Sequence, residues 1–361
     1  VVDEPPDWVS EWLDSRDQRT EKKQQRAKEK SEKPVDVEAQ KKRQAKREKN
    51  VAGGIEELDR FLIDLMRGGL AAAQSSGENE CERVAARMVD AQAPGLARLV
   101  SELAGSLYGR GDWQQRSLQI VGRLRLITQA YRRIESLPEL IREEVRAAVG
   151  FTQSTDELLL KEGVAGSWRV AGQVVEDDGR IKTQRTWLTE AETGRPAMVF
   201  TFAAGNRPLD SGLVVGRQFK GEVVYFPGSL GLRAIVKTKE DPGEIDNFTG
   251  LPCNQALDGY ADALARCPWL ERYPLAISGV VPVLDESSDD HRWLMVSEQG
   301  DPIPIAARFG EAWMLRAVSG DRPITVFGEW DGRVLLPLSA WANGQFVSLN
   351  QSEGAGLARM V

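Results

Sequence analysis

The spacing of apolar residues changes once along this chain, near Gly150, and that change excludes any fold built from one kind of element. Before it, apolar side chains recur every three or four residues, the period of a helix with one buried face. Ile55, Leu58, Leu62, Leu65 and Met66 do so in IEELDRFLIDLMRGGL. Val84, Met88, Leu96, Leu99 and Leu103 do so around a break at Ala93-Pro94-Gly95, and Leu118, Val121, Leu124, Ile127, Tyr131 and Ile134 between Trp113 and Leu137. Pro138 then opens PELIREEVRAAVG as a further helix, and a brief helix is expected over Asp156–Lys161. The pair Gly53-Gly54 reads as an interruption of the helical pattern, and Gly68-Gly69 as an end or a weakened turn. Short connections between such helices predict a bundle.

Beyond Gly150 the pattern turns to alternation. SWRVAGQVVEDDGRIKTQRTWLTEAETGRPAMVFTFAAG reads as a three-stranded antiparallel meander with turns at Asp178-Gly179 and Thr193-Gly194. FKGEVVYFPGSLGLRAIVKT adds two strands around Pro227-Gly228. Asn254–Arg266 then reads as helix, AISGVVPVLD as strand, Asp285–Asp290 as an acidic loop, HRWLMVSEQGDPIPIA as a hairpin and FGEAWMLRAVSG as a short helix. PITVFGEWDGRVLLPLSAW closes as a hairpin turning at Asp331-Gly332. Without a regular βαβ period the expected class is α+β: an N-terminal α-helical bundle with a long charged helix, followed by a mixed antiparallel β-rich C-terminal half. The segments divide as 1–75 (charged helical segment and amphipathic helix), 76–162 (α-helical bundle), 163–240 (antiparallel β meander) and 241–361 (α+β domain).

The start of the chain behaves differently. Trp8 and Trp12, four apart beside Val9 and Leu13, give a short helix one aromatic face. From Arg16 to Asn50 there are 14 Lys/Arg against 7 Asp/Glu, a net of +7, with Val35 and Val37 the sizeable apolar residues. Such a stretch cannot bury a core of its own, and it reads as a solvated helix broken near Pro34. A +7 run can also attract phosphate through counterion release. Lys41, Lys42, Arg43, Lys46 and Arg47 are its candidate nucleic-acid contacts, although the interspersed acids and the lack of aromatics between Trp12 and Phe61 favour the solvated helix or spacer.

Composition limits the chemistry. In 361 residues, 41% hydrophobic and 28% charged with net charge −7, the chain is an ordinary globular protein without the overall basic footprint of a dedicated nucleic-acid binder. One histidine, His291, and three cysteines, Cys81, Cys253 and Cys267, show no close pair of the kind that presents two zinc ligands from one turn. The phosphate-binding patterns GxxxxGK[ST] and GxGxxG are missing, as is GxSxG, and FPGSLGLR continues into a strand as a hairpin would. The carboxylate pairs Asp177-Asp178 and Asp289-Asp290 fall in an expected turn and loop, where solvated charge is the usual role. Trp168, Trp187, Trp293, Trp330 and Trp341, near strand ends, either line a recognition surface or close small cores. Scattered cysteines and the lack of a long apolar run place the expected compartment in the cytoplasm. A chain beginning Val1-Val2 rather than Met is read as a processed or trimmed piece of a longer protein.

Several segments in order, PPDWVSEWLDSR, GGIEELDRFLIDLMRGGLA, ARMVDAQAPGLA, WQQRSLQIVGRLRLITQAYRRIESLP, RWLMVSEQGDPIPIA and FGEWDGRVLLPLSAW, resemble the region that follows the zinc finger in bacterial SWIM zinc-finger family proteins. The resemblance implies that a CxCx(n)CxH finger stands upstream, so that zinc is expected there and no cofactor in this chain. It also implies gene-cluster partners: a MoxR-type AAA+ ATPase and a von Willebrand factor A protein. The expected function is thus a non-enzymatic protein-interaction or adaptor region. The alternatives are a DNA-binding accessory protein using residues 16–50 and an enzyme in the C-terminal half. No catalytic or metal-ligating residue carries over.

Overall fold

The end of the charged stretch, from Val37 on, and the first apolar stripe belong to one unbroken helix, α1 (Val37–Gly68), in a computed structural model that describes residues 37–76, 79–109, 112–177, 179, 181–205, 207–287 and 292–349. The proposed helix about Trp8 and Trp12 and the break near Pro34 lie outside the described residues. The expected interruption at Gly53-Gly54 does not occur, and the reason is steric. A Cβ on Gly54 would sit 2.5 Å from the Cβ of Ala91 and 3.4 Å from the terminal methyl of Met88. The glycine is a notch for close helix approach, and its helical penalty of about 1 kcal/mol is offset by Val51, Ile55, Leu58 and Leu62, all buried.

The described residues form two compact units, the first drawn from Val1–Thr128 and Ala147–Lys161, the second from Gln129–Arg146 and Glu162–Val361. After α1 come α2 (Leu70–Ser76), α3 (Asn79–Asp90), α4 (Pro94–Leu107), α5 (Trp113–Arg132), α6 (Glu139–Val149) and α7 (Thr155–Leu159). The α3–α4 corner is the expected one: Gln92 takes a left-handed φ of 61°, the Ala93 amide returns to the Met88 carbonyl, and Pro94 opens α4. In the first unit Leu96, Leu99, Val100, Leu103 and Leu107 bury one face of α4, and Leu124 and Ile127 are buried on α5. A polar tie runs between α1 and α5. The buried Asp59 carboxylate accepts from Arg125 Nη1 and Thr128 Oγ1, each at 2.6 Å.

In the second unit β1 (Val164–Asp177), β2 (Ile181–Glu190), β3 (Pro196–Ala204), β4 (Arg217–Tyr225) and β5 (Arg233–Glu244) close into a barrel in the order β1-β2-β3-β5-β4. The meander was expected; the closure was not. It comes from β1 pairing a second time, with β4, and from a short parallel contact of β3 with β5. This is the connectivity of an OB-type Greek-key barrel. Trp168, Val170, Leu188, Ala197, Val199, Phe219, Val223 and Ala234 fill it.

Next, α8 (Cys253–Arg266) precedes β6 (Tyr273–Asp285), β7 (Arg292–Ser297), β8 (Pro302–Pro304), α9 (Ala312–Ser319), β9 (Ile324–Trp330), β10 (Leu335–Ala342) and β11 (Gln345–Ser348). The strands make one antiparallel sheet ordered β11-β10-β9-β6-β7-β8. The sheet covers the outer face of β1 and β2. Gly172 permits the approach, since a Cβ there would lie 2.7 Å from Leu338 Cβ, and Ser339 Oγ donates to the Ala171 carbonyl at 2.5 Å where β1 bulges.

Charge is buried at this junction. Glu329 on β9 accepts from Arg185 Nε (2.9 Å), Arg185 Nη2 (3.1 Å) and Trp187 Nε1 (2.8 Å), and Arg185 also grips Glu176 on β1. Burial opposes ionisation of Glu329, but Arg185 and Trp187 outweigh it and hold the carboxyl below the usual carboxylate range.

Two outcomes are expected. Asp59→Ala leaves Arg125 and Thr128 without their acceptor and should cost about 2 kcal/mol in urea unfolding. Because Glu329 and Glu176 are both lowered, their contribution is complete above the unfolded carboxylate value near pH 4.3 and is lost as pH falls through the lower folded values. Stability should therefore be level from about pH 7 to pH 5 and then decline. Glu329→Gln should cost about 3 kcal/mol at neutral pH and flatten the acid decline, while Arg185→Met with Glu329→Leu should recover most of the loss.

Candidate functional site

The sheet covers the middle of the β1–β2 face and leaves a cleft of about 310 Å³ at one end, within the second unit. Its polar wall comes from the barrel, through Arg169, Thr189 and the turn from Glu190 to Gly194. Its apolar wall comes from Phe248, Leu251, Ala256, Leu275 and Phe327. Arg169 and Thr189 are cross-strand partners, so their side chains leave the same face side by side. Arg169 Nη1 donates to the Ala191 carbonyl at 3.2 Å. Arg169 Nε and Thr189 Oγ1 are buried with no hydrogen-bond partner, although Thr189 is only 8% exposed. Neither atom reaches solvent, so both are desolvated donors within the wall of the cleft.

The acidic residue of the wall is already engaged. Glu190 Oε2 accepts from the amides of Glu192 (3.0 Å) and Thr193 (2.7 Å) and from Thr193 Oγ1 (2.8 Å). Burial pushes this carboxyl up, but those donors more than compensate and hold it below its ordinary value. A carboxylate fixed in this way closes a turn and is a poor proton carrier. The lining contains no cysteine, histidine or lysine among the described residues.

The residues singled out from sequence are dispersed. Lys41, Lys42, Arg43, Lys46 and Arg47 all lie on α1. Lys42 pairs with Glu38 at 3.2 Å, and both are exposed. Arg47 turns inward: Nη2 donates to the carbonyls of Gln92 and Gly150, and the guanidinium lies 4.3 Å from the Phe151 ring centre. Cys81, Cys253 and Cys267 are all buried. Burial raises each thiol, Cys81 to about 11, which keeps them protonated and inert. His291 and the pair Asp289-Asp290 lie outside the described residues, as does Asp178, while Asp177 caps the Gly179 amide and contacts Lys182. Among the described residues no group of three His, Cys, Asp or Glu side chains could hold a metal ion, and no helix is long and apolar enough to cross a membrane. Of the tryptophans, Trp168, Trp187 and Trp330 close cores. Sequence reading missed Arg169 and Thr189 because an alternating strand gives no sign of which polar residue loses its partner in the fold.

The helical part gives the link to known proteins. Residues 46–149 match the family described as the SWIM-associated four-helix bundle domain. Those residues carry the SWIM-associated four-helix bundle domain. The SWIM match begins within α1 and ends with the last residue of α6, so it supports the expected region C-terminal to the zinc finger and stops short of the barrel. No curated protein and no solved structure matches the chain.

Thr189→Val removes the orphaned hydroxyl at nearly constant volume. It should raise the stability of the chain by about 1 kcal/mol in urea unfolding; a loss of stability would mean that the hydroxyl has a partner in solution.

Proposed function

We propose that this chain is a non-enzymatic interaction region of a SWIM protein, an adaptor that presents folded faces to protein partners. The observation that carries the reading is the SWIM-associated bundle over residues 46–149. On its helix α5, Leu118 is 53% exposed and Leu126 is 45% exposed, eight residues apart on one side with Gly122 between them. A leucine pair flanking a residue without a side chain is a groove-and-ridge surface of the kind a partner helix fills. The cleft beside Arg169 and Thr189 supplies a second contact, for a partner segment that offers a hydrogen-bond acceptor next to an apolar side chain. With Glu190 held in its turn, that cleft favours recognition over the enzymatic alternative.

The partners proposed are a MoxR-type AAA+ ATPase and a von Willebrand factor A protein, with zinc confined to a finger upstream and the cytoplasm of a bacterium as the setting. The DNA-binding alternative through residues 16–50 keeps Lys42 and Lys46 as exposed cations, but Arg47 serves the packing of the first unit instead.

Immobilised full chain should retain a cognate MoxR-type ATPase or von Willebrand factor A protein. Leu118→Glu with Leu126→Glu should reduce retention at least about tenfold, as loss of two apolar anchors would, with the thermal unfolding midpoint unchanged. Failure to retain either protein would end the adaptor reading.

A further inference from the structure

Two features that the adaptor reading leaves unused, a tryptophan near the start of β7 and the acidic loop before it, meet at one place in the second unit. Trp293 shares a sheet face with the buried Met295 and packs against the core of the six-stranded sheet. Trp313 leans on it from α9. Their ring centres are 4.9 Å apart and their planes stand at 86° to each other. Ala312 and Leu315 anchor α9 in the same core, so the helix cannot turn Trp313 inward, and that ring is left 64% exposed. The pair forms an aromatic corner with one fixed wall and one open wall. A tryptophan with so much of its surface in water contributes little to the fold by burial.

The charge carried by these elements is negative. From Asp285 to Arg322 there are eight carboxylates and four arginines, a net of −4 with His291 neutral. Three of the arginines already face acids. Arg292 is the cross-strand partner of Asp285 and lies within electrostatic reach of it. Arg316, one turn on from Trp313, is held by Asp321 at 3.2 Å, and Arg308 acts on Glu329 and Glu176 at the junction with the barrel. Arg322 stands past the far end of α9, and Glu298 and Asp301 lie at the far end of β7. Two exposed carboxylates remain beside the corner. Glu286 is in the loop two residues beyond Leu284, the cross-strand partner of Trp293, and Glu311 immediately precedes α9. Asp289 and Asp290 belong to that same loop in the sequence.

Indole faces carry the negative part of the ring quadrupole, so two of them at a right angle with carboxylates beside them suit a cation. We propose that the Trp293–Trp313 corner is a docking site for a lysine or arginine side chain carried on an exposed segment of a partner protein. The methylenes of that side chain lie on the indoles and its charged head turns toward Glu286 and Glu311. The proposal rests on the reading of the chain as an interaction region, but it uses a surface separate from Leu118 and Leu126 and from the cleft at Arg169. A neutral apolar segment would gain from the rings and nothing from the carboxylates. A polyanion would be repelled by them.

The test uses the full chain and a short fluorescein-labelled peptide of alternating lysine and serine, followed by anisotropy. Binding is expected, weaker at about 500 mM than at about 50 mM salt but not abolished, because contact with the rings survives screening. The same peptide with norleucine in place of lysine keeps the methylenes without the charge and should not bind. Trp313→Leu keeps an apolar contact with Trp293 and removes the ring; it should weaken binding about fivefold, and Trp313→Phe should weaken it less. Glu286→Gln with Glu311→Gln should weaken binding and reduce its dependence on salt, with an unchanged thermal unfolding midpoint because both side chains are exposed. Leu118→Glu with Leu126→Glu should leave peptide affinity as it is, so a failure here and a failure to capture the ATPase or the von Willebrand factor A protein are separate results. The proposal is overturned if the lysine peptide does not bind, if the norleucine peptide binds equally, or if Trp313→Leu has no effect. It is equally overturned if Trp313→Leu abolishes self-association of the chain in sedimentation while peptide affinity stays the same.

Discussion

The carboxylate of Glu329, sunk between two β-layers and gripped by Arg185 and Trp187, is the constraint on which the second unit depends. A lone charge at that depth would cost several kcal/mol, so the barrel and the six-stranded sheet can meet in one register only, the one that brings donor and acceptor together. Apolar packing supplies the bulk of the attraction, through Trp187, Phe327, Leu338 and their neighbours, but greasy contacts alone tolerate sliding. The ionic contact removes that freedom. Gly172 and the bulge at Ala171 are its steric counterpart, a place where two backbones come too close for a side chain.

The cleft follows from this docking: the sheet covers the centre of the β1–β2 face and leaves one end uncovered, where Arg169 and Thr189 look into a cleft whose opposite wall is the sheet. The helical unit uses the same devices at smaller scale, with Gly54 as the close approach and Asp59 as the buried acceptor between α1 and α5. In each unit a glycine sets how near two elements come and a buried carboxylate sets their alignment.

Most individual elements were legible because their signals are local. Pro94 and Pro138 mark helix starts, Asp331-Gly332 turns the β9–β10 hairpin, and the stripe from Ile55 to Leu65 is a helix whatever surrounds it. The same local logic failed at Gly54, where a glycine pair was read as a break although the helix runs through it. It could not find β11, a four-residue strand whose existence depends on the edge of β10. Glu329 and Arg185 looked like ordinary polar positions of alternating strands, and nothing adjacent to either announces a partner more than a hundred residues away. The candidate site suffered most from this: Arg169 and Thr189 each sit in unremarkable strand sequence.

The sequence by itself determined the order and kind of the elements, the switch from helical to strand periodicity near Gly150, and the SWIM-like character of the helical half. Those properties depend on steric preferences and apolar spacing within a few residues. Tertiary structure alone decided that the meander closes into a barrel, that a sheet covers its outer face, and which polar and aromatic groups are left over at the margins. These outcomes depend on contacts between residues far apart in the chain, where complementarity of shape and the cost of burying charge choose among pairings that local pattern leaves equivalent.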